Sequence, residues 1–235
     1  MQKIFILILL NFVQLANFQA QATFSEIHKE NYYPFLLSIP PDSVDSQGPS
    51  PLLVFLHGRS LSGSDLNMVK KYGVLHEMEK KGRFVPGYVI GPQVKKGESW
   101  NPDKILQLVD YMIRNYNIDS SRVYIAGMSL GGYGTLHFTG KYPNKVAAAV
   151  ALCGGGDVRD GCRLAEVPLW IEHGDQDEAV PVNESIQVAN AIKACNGGKK
   201  LKFIVDKGAN HGALEQIFRT DEFYQWLFSF RKESN

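Results

Sequence analysis

The chain has 235 residues, and its 25 Lys and Arg nearly balance its 24 Asp and Glu, giving a formal net charge of +1. This balance provides no overall field that would favour nucleic acid or an anionic membrane as a partner. The length suits one domain with a substantial hydrophobic core.

The first 22 residues have the pattern of a secretory signal peptide. Lys3 gives a basic start, residues 4–10 are apolar, and Ala20 and Ala22 offer a small-residue cleavage site. A membrane anchor would need about 20 consecutive apolar residues, and Asn and Gln interrupt this segment. The sequence therefore predicts a signal peptide over residues 1–22 and a mature domain over residues 23–235. We expect an exported protein, periplasmic or secreted, with no stable membrane anchor.

Apolar runs rich in Val, Ile and Leu alternate with segments of helical period along the mature chain. Continuous apolar runs are typical of strands that are covered on both faces of a sheet. This alternation predicts an α/β fold with a mostly parallel central sheet, helices on both faces and no separate lid domain. The predicted strands are residues 51–56, 88–90, 122–126, 147–152, 168–172 and 202–205, and the predicted helices are residues 65–80, 104–115, 132–141, 183–194 and 214–230.

Ser129 follows the predicted strand 122–126 and is the centre of the sequence GMSLG, residues 127–131. This G-x-S-x-G pattern is typical of a nucleophile elbow, a sharp strand-to-helix turn that projects the serine oxygen clear of the sheet. Side chains at positions 127 and 131 would collide on such a turn. Gly132 and Gly134 are expected to let the following helix pack close to the sheet. The alternative is a glycine-rich turn without chemistry, so the rest of the chain must supply a base.

A serine hydroxyl becomes a nucleophile when a histidine takes its proton and a carboxylate orients that histidine. The order along an elbow protein is serine, acid, histidine. Of the histidines after Ser129, His211 lies past the last predicted strand, in a glycine- and asparagine-rich loop where a base is expected. Asp177 is the favoured acid because it lies deeper in its loop, whereas Asp175 suits capping the turn. The remaining histidines are expected to be structural: His28, His57, His76, His137 and His173.

Acyl transfer also requires hydrogen-bond donors for the negative oxygen of the tetrahedral intermediate. One expected donor is the backbone N–H of Leu130, directly after the serine, and the second should come from a loop after an early strand. Gly58 and Arg59 follow the predicted strand 51–56, so Arg59 N–H is the second expected donor. Chemistry of this kind requires no metal ion and no organic cofactor.

The three cysteines have no metal-ligand spacing. Cys153 and Cys162 bracket a short glycine-rich segment, and export would permit a disulfide between them that leaves Cys195 unpaired. Three buried free thiols are an equally weighted alternative.

Together these segments resemble the α/β-hydrolase superfamily, and more narrowly its small esterases. These are the phospholipase/carboxylesterase group and the related predicted-peptidase and feruloyl-esterase-like proteins. The resemblance implies Ser129, Asp177 and His211 as a catalytic triad and Arg59 and Leu130 as oxyanion donors. The matching segments, which cover nearly the whole mature chain, are VFLHGRSLSGSD, VIGPQ with ESW, SSRVYIAGMSLGGYGTLHF, ALCGGGD, WIEHGDQDEAVP and GANHG.

The resemblance also bears on the substrate. It implies that Trp100 lines the acyl or leaving-group pocket, and it reveals one departure, because Ser60 stands where relatives often carry a second glycine in the oxyanion loop. The expected activity is hydrolysis of carboxylic esters of small soluble molecules, with acylated carbohydrates among the candidates. The alternatives are a serine peptidase of the same fold and a catalytically inactive binding module.

Overall fold

One eight-stranded sheet organises residues 22–41, 48–196 and 198–232, the part of the chain that the computed structural model describes. All but the last residue of the predicted signal peptide lies outside the described residues. The strand order is β1-β2-β4-β3-β5-β6-β7-β8, in which β4, β3 and the strands beyond it are parallel and β1 and β2 form an antiparallel edge. The strands are β1 Ser25–Ile27, β2 Phe35–Ser38, β3 Ser50–Leu56, β4 Tyr88–Pro92, β5 Ile118–Met128, β6 Ala148–Leu152, β7 Leu169–Gly174 and β8 Leu201–Asp206.

Helices cover both faces of this sheet, as predicted. Helices α2, α3 and α5 contribute to the core on one face, while α1, α6 and the 3₁₀ segment His211–Arg219 pack on the other. No helix of the described residues is long and apolar enough to cross a membrane. The α-helices are α1 Gly73–Lys81, α2 Pro102–Asn115, α3 Leu130–Lys141, α4 Gly161–Leu164, α5 Asn183–Asn196 and α6 Asp221–Phe228, and further 3₁₀ segments are Arg59–Leu61, Leu66–Lys70, Pro143–Lys145 and Val158–Asp160.

Strand β3 shows why continuous apolar runs predict this sheet. Successive side chains of a strand point to opposite faces. Accordingly, Leu52, Val54 and Leu56 belong to the core under α2 and α3. Leu53 and Phe55 belong to the core under α1 and α6. A strand buried on both faces favours apolar residues at successive positions, and all seven residues of β3 are buried, six of them apolar after Ser50.

All six predicted strands are confirmed, with ends shifted by up to four residues, but two of the predicted helices are wrong as single elements. The predicted helix 65–80 divides into the 3₁₀ segment Leu66–Lys70 and α1. The break falls at Gly73, whose φ is +76° and whose added Cβ would stand 2.1 Å from the Phe55 ring. The predicted helix 214–230 divides near Thr220, whose side chain caps α6 by accepting a hydrogen bond from Phe223 N at 3.2 Å.

The predicted disulfide between Cys153 and Cys162 is wrong. Cys162 instead pairs with Cys195, with a Cα–Cα distance of 5.0 Å, and so joins α4 to α5. Cys153 is a buried free thiol at the end of β6. Cys162 and Cys195 are exposed residues on two packed helices, whereas Cys153 is enclosed by the core, so closeness in sequence was a poor guide to pairing.

Candidate active site

The turn between β5 and α3 holds Ser129 in a strained conformation. Its φ is 59° and its ψ is −122°, outside the regions that residues with a side chain ordinarily adopt. The packing around it explains the neighbouring glycines. A Cβ on Gly131 would stand 1.8 Å from the Leu56 carbonyl oxygen, and one on Gly127 would stand 2.4 Å from the Gly131 oxygen. Side chains at these two positions would therefore collide, as the sequence predicts.

The two glycines that follow have different neighbours. Gly132 brings α3 against the sheet, because an added Cβ would stand 2.5 Å from the Leu152 carbonyl oxygen of β6. Gly134 was expected to do the same, but it faces Trp100, whose ring atoms would be 2.8 Å from an added Cβ. Gly134 thus makes room for an indole ring and not for the sheet.

A histidine and a carboxylate pair in the loops after β7 and β8. His211 Nδ1 lies 2.6 Å from Asp177 Oδ2, and the other carboxylate oxygen accepts from the backbone N–H groups of Ala179 and Val180, both at 2.8 Å. Burial alone would raise the pKa of Asp177, but these N–H donors and His211 outweigh it and hold that pKa below its usual range. Since an ionised carboxylate can only accept, Nδ1 is the donor and Nε2 of His211 is left to accept a proton.

His173 and Asp175 support the loops around this pair. His173 Nε2 lies 2.9 Å from the Val180 carbonyl oxygen and 3.2 Å from Asp177 Oδ2. Its Nδ1 lies 2.7 Å from Ser185 Oγ. Asp175 Oδ1 accepts from Gly208 N at 2.6 Å, which ties the loop after β7 to the loop after β8. The contacts of His173 and Asp175 thus hold the loops in place, in keeping with the structural roles that the sequence predicts for both.

The two expected oxyanion donors are each the first residue of a helical segment. Arg59 starts a 3₁₀ segment and Leu130 starts α3, and the first N–H groups of a helix have no acceptor inside it. Both residues line the same cleft as Ser129 and His211. His57, just before this loop, is fully buried, and desolvation lowers its pKa to about 4. Its Nε2 accepts from Val94 N at 3.2 Å, so the neutral ring is part of the core.

The cleft that contains Ser129 and His211 has a volume of about 520 Å³ and is open to solvent. Trp100 was expected to line it but lines an adjoining cavity of about 220 Å³, where it is 5% exposed and donates Nε1–H to the His57 carbonyl oxygen at 3.1 Å. Sequence reasoning assigned no role to several other residues that line the main cleft. Tyr72 and Glu215 stand outside every recognised segment, whereas the others lie within one but are not its characteristic residues: Met128, Tyr133, Ala179, Val180 and Gly212.

One cluster among the described residues has metal-ligand atoms close together. Ligand atoms of Cys153, His173 and Asp177 lie within 4.8 Å of one another. Burial, with the Asp177 carboxylate adding to it, raises the pKa of the Cys153 thiol far above its usual range. Metal binding would need the thiolate. Asp177 and His173 also hold the hydrogen bonds that shape the loop, so the cluster fits an internal support better than a metal site.

Six parallel strands beside an antiparallel edge, with polar loops after β5, β7 and β8, form the architecture of the α/β-hydrolases. The chain also matches the sequence profile of the phospholipase/carboxylesterase family over residues 92–220, more than half of its length. It belongs to that family.

Individual relatives agree with this family assignment. The chain is 32% identical over 140 residues to a bifunctional acetylxylan esterase/xylanase from Neocallimastix patriciarum, a match covering 56% of this chain and 20% of the relative. It is 29% identical over 140 residues to acetylxylan esterase A from Emericella nidulans, covering 57% of this chain and 45% of the relative. The chain thus spans less than half the length of these curated relatives. The crystal structure of a thermostable esterase superposes with a TM-score of 0.79 at 26% identity, covering 90% of this chain and 64% of that one.

Proposed function

We propose that this protein is an exported serine esterase that cleaves carboxylic esters of small soluble substrates through an acyl-enzyme. The family supplies the carboxylesterase-type chemistry. The observation that carries the proposal is the 2.6 Å contact between His211 Nδ1 and Asp177 Oδ2, in the cleft that also holds the strained Ser129. A nucleophile, a base and an orienting acid on three neighbouring loops are what acyl transfer requires.

In the acylation step, Ser129 Oγ attacks the ester carbonyl carbon and its proton passes to His211 Nε2. The carbonyl π electrons move to the oxygen, which becomes negative and accepts hydrogen bonds from Arg59 N–H and Leu130 N–H. When this intermediate collapses, the bond to the alcohol oxygen breaks and the alcohol leaves with the proton from His211. One such donor contributes about 2.7–4 kcal/mol to the stability of the transition state.

Water then attacks the acyl-enzyme with His211 as the base, and the acid leaves as Ser129 recovers its proton. Asp177 fixes the tautomer in which Nδ1 carries the hydrogen, and its negative charge stabilises the imidazolium that forms in both steps. The lowered pKa of Asp177 supports this role, because the carboxylate stays ionised over the range in which a histidine works.

The substrate class follows from the cleft and the relatives. The cleft is open, and no separate lid domain covers it in the described part of the chain, so long acyl chains would stay partly in water. An exposed site gains less than the maximum of about 0.8 kcal/mol per buried CH₂, and we expect kcat/KM to be highest for acyl groups of about two to four carbons. The acetylxylan esterases among the relatives favour acylated carbohydrates as candidates.

Export is the second part of the proposal. Residues 1–22 would be removed as a signal peptide, leaving residues 23–235 as the mature domain. The disulfide between Cys162 and Cys195 supports it, because disulfides persist in oxidising compartments and are rare in the cytosol. The intact mass of the protein recovered from its native host should correspond to a chain that begins at Thr23. A mass that includes the first 22 residues would contradict export.

A panel of esters that varies the acyl and alcohol parts separately tests the activity. It should contain p-nitrophenyl esters of increasing chain length, an acetylated xylo-oligosaccharide, a hydroxycinnamoyl ester and matched amides. The proposal predicts fast cleavage of short esters, slow cleavage of amides and loss of both activities in Ser129→Ala. Efficient cleavage of amides would indicate a peptidase, and inert wild-type protein would indicate a binding module.

A further inference from the structure

Tyr72 is the cleft residue whose position is least explained by the chemistry proposed above. It immediately precedes α1, at the point where the predicted helix 65–80 breaks. Because Gly73 has a φ of +76°, the chain turns sharply there. The Tyr72 ring packs edge-on to Phe55, with ring centroids 6.4 Å apart. The break therefore fixes a tyrosine at the cleft where a continuous helix would have carried it elsewhere.

The hydroxyl of Tyr72 contacts the loop of the proposed oxyanion donor Arg59 and lines the cleft that holds Ser129. Its oxygen accepts a hydrogen bond from Gly58 N at 2.6 Å. The point where a Cβ on Gly58 would stand is 2.6 Å from this oxygen and 3.3 Å from Ser129 Cβ. Gly58 is also the residue immediately before Arg59, whose N–H is a proposed oxyanion donor. The phenol group thus contacts the loop that would bind the negative oxygen and lines the same cleft as Ser129.

The phenol has a proton to give at this position. A tyrosine hydroxyl can accept and donate at once, and the bond from Gly58 N–H uses only its acceptor side. Burial is the main reason that the pKa of Tyr72 is raised, while the Gly58 and Ser60 hydrogen bonds lower it and the charge of Glu215 raises it further. The group therefore stays neutral and remains a donor throughout the range in which an esterase works.

We propose that the Tyr72 hydroxyl is a third oxyanion donor, which hydrogen-bonds the negative oxygen of the tetrahedral intermediate together with Arg59 N–H and Leu130 N–H. The hydroxyl keeps its proton, so the step needs no further acid or base. This inference rests on the proposed esterase function. It also suggests a role for Ser60, which replaces the second glycine that relatives often carry in the oxyanion loop. The Ser60 hydroxyl can hydrogen-bond the Tyr72 phenol and hold it in place, while the phenol itself donates to the negative oxygen.

The test compares Tyr72→Phe with wild type in two measurements that depend on the oxyanion. The first is kcat/KM for p-nitrophenyl acetate, which should fall about 10²- to 10³-fold, as expected for one lost donor. The second is the inhibition constant of an aryl trifluoromethyl ketone. Ser129 Oγ adds to the carbonyl carbon of the unhydrated ketone, and the resulting adduct carries a negative oxygen like that of the tetrahedral intermediate. That constant should rise by the same factor, while binding of the isosteric alcohol, which forms no adduct, should change less than about threefold.

Tyr224→Phe is the matched control, because it removes the hydroxyl of a buried tyrosine that does not line the cleft and makes one backbone hydrogen bond, to Phe218 O at 2.9 Å. It should leave both measurements unchanged. If Tyr72→Phe weakens the alcohol and the ketone equally, or changes neither, the inference is overturned and Tyr72 only supports the loop. A separate experiment tests the esterase proposal itself, which predicts that a fluorophosphonate modifies the wild type but not Ser129→Ala. Failure of the esterase proposal is therefore distinguishable from failure of the Tyr72 proposal.

Discussion

The ends of β5 and β6 lie side by side in the sheet, and each is followed by a residue with a side chain but a positive φ. Ser129 has a φ of 59° and Cys153 a φ of 48°. Ser129 is half-buried in an open cleft with His211, whereas Cys153 is fully buried and its Sγ lies 3.7 Å from the His211 carbonyl oxygen. The same backbone conformation thus places one side chain in the open cleft and the other in the core.

This difference shows that backbone strain alone does not make a nucleophile. A thiol is intrinsically more nucleophilic than a hydroxyl, but only as the thiolate. Burial and the Asp177 carboxylate raise the pKa of Cys153, so the thiol stays protonated behind the histidine–carboxylate pair. What separates the two residues is exposure, because Ser129 lines the cleft that His211 also lines, whereas Cys153 is fully buried.

The largest expected effect is that of replacing Ser129, which tests its difference from Cys153 directly. Ser129→Ala should lower kcat for a short ester on the order of 10⁶-fold, as the loss of a triad serine does. Initial rates on p-nitrophenyl acetate measure it, with circular dichroism to check the fold. A residual activity within 100-fold of wild type would mean that another group, Cys153 included, is the nucleophile.

The acid of the pair gives the next largest effect. Asp177→Asn should lower kcat about 10⁴-fold, because the amide no longer holds His211 in the tautomer that accepts a proton at Nε2. Asp175→Asn is the matched control, since Asp175 bonds Gly208 N and not His211. It should mainly reduce stability. The reverse order of the two variants would move the acid to Asp175.

The two cysteines of the disulfide should contribute more to stability than the free Cys153. Replacing both Cys162 and Cys195 by Ala should lower the free energy of unfolding by about 3–4 kcal/mol, because the bridge closes a loop with a sequence separation of 33 residues. Urea titration measures this change, and kcat should stay within twofold. A peptide map that joins Cys153 to either partner would contradict the pairing.

Cys153→Ala should have the smallest effect. Loss of one buried sulfur atom should cost about 1–2 kcal/mol of unfolding free energy, and kcat should fall less than about fivefold. Native protein should also resist iodoacetamide until it is unfolded. Rapid alkylation of Cys153 with parallel loss of activity would give this residue a role at the site that its burial argues against.

The sequence predicted most of the fold because its physical signals are local. The residues of β3 are apolar because both faces of the strand are buried. The residues beside Ser129 are glycines because the turn leaves no room for side chains. Strands β1 and β2 were missed because they have three and four residues, too few for a period to be recognised.

The features that escaped prediction depend on contacts between distant parts of the chain. The disulfide partner of Cys162 is set by how α4 packs on α5. Gly134 faces Trp100 because the side chain of that tryptophan, in the loop after β4, packs against α3. Tyr72 contacts Gly58 from the position just before α1, next to Gly73, where the Phe55 ring of β3 leaves no room for a side chain. Sequence order and composition carry no direct record of such contacts.

The most direct test of the account is to identify the residue that a fluorophosphonate modifies. Purified mature protein treated with a fluorophosphonate should gain one adduct per chain, and tandem mass spectrometry of its peptides should locate that adduct on Ser129. Prior replacement of His211 by Ala should slow the labelling severely, because the hydroxyl then has no base. An adduct on any other residue, or undiminished labelling of Ser129→Ala, would contradict the assignment of Ser129 as the nucleophile.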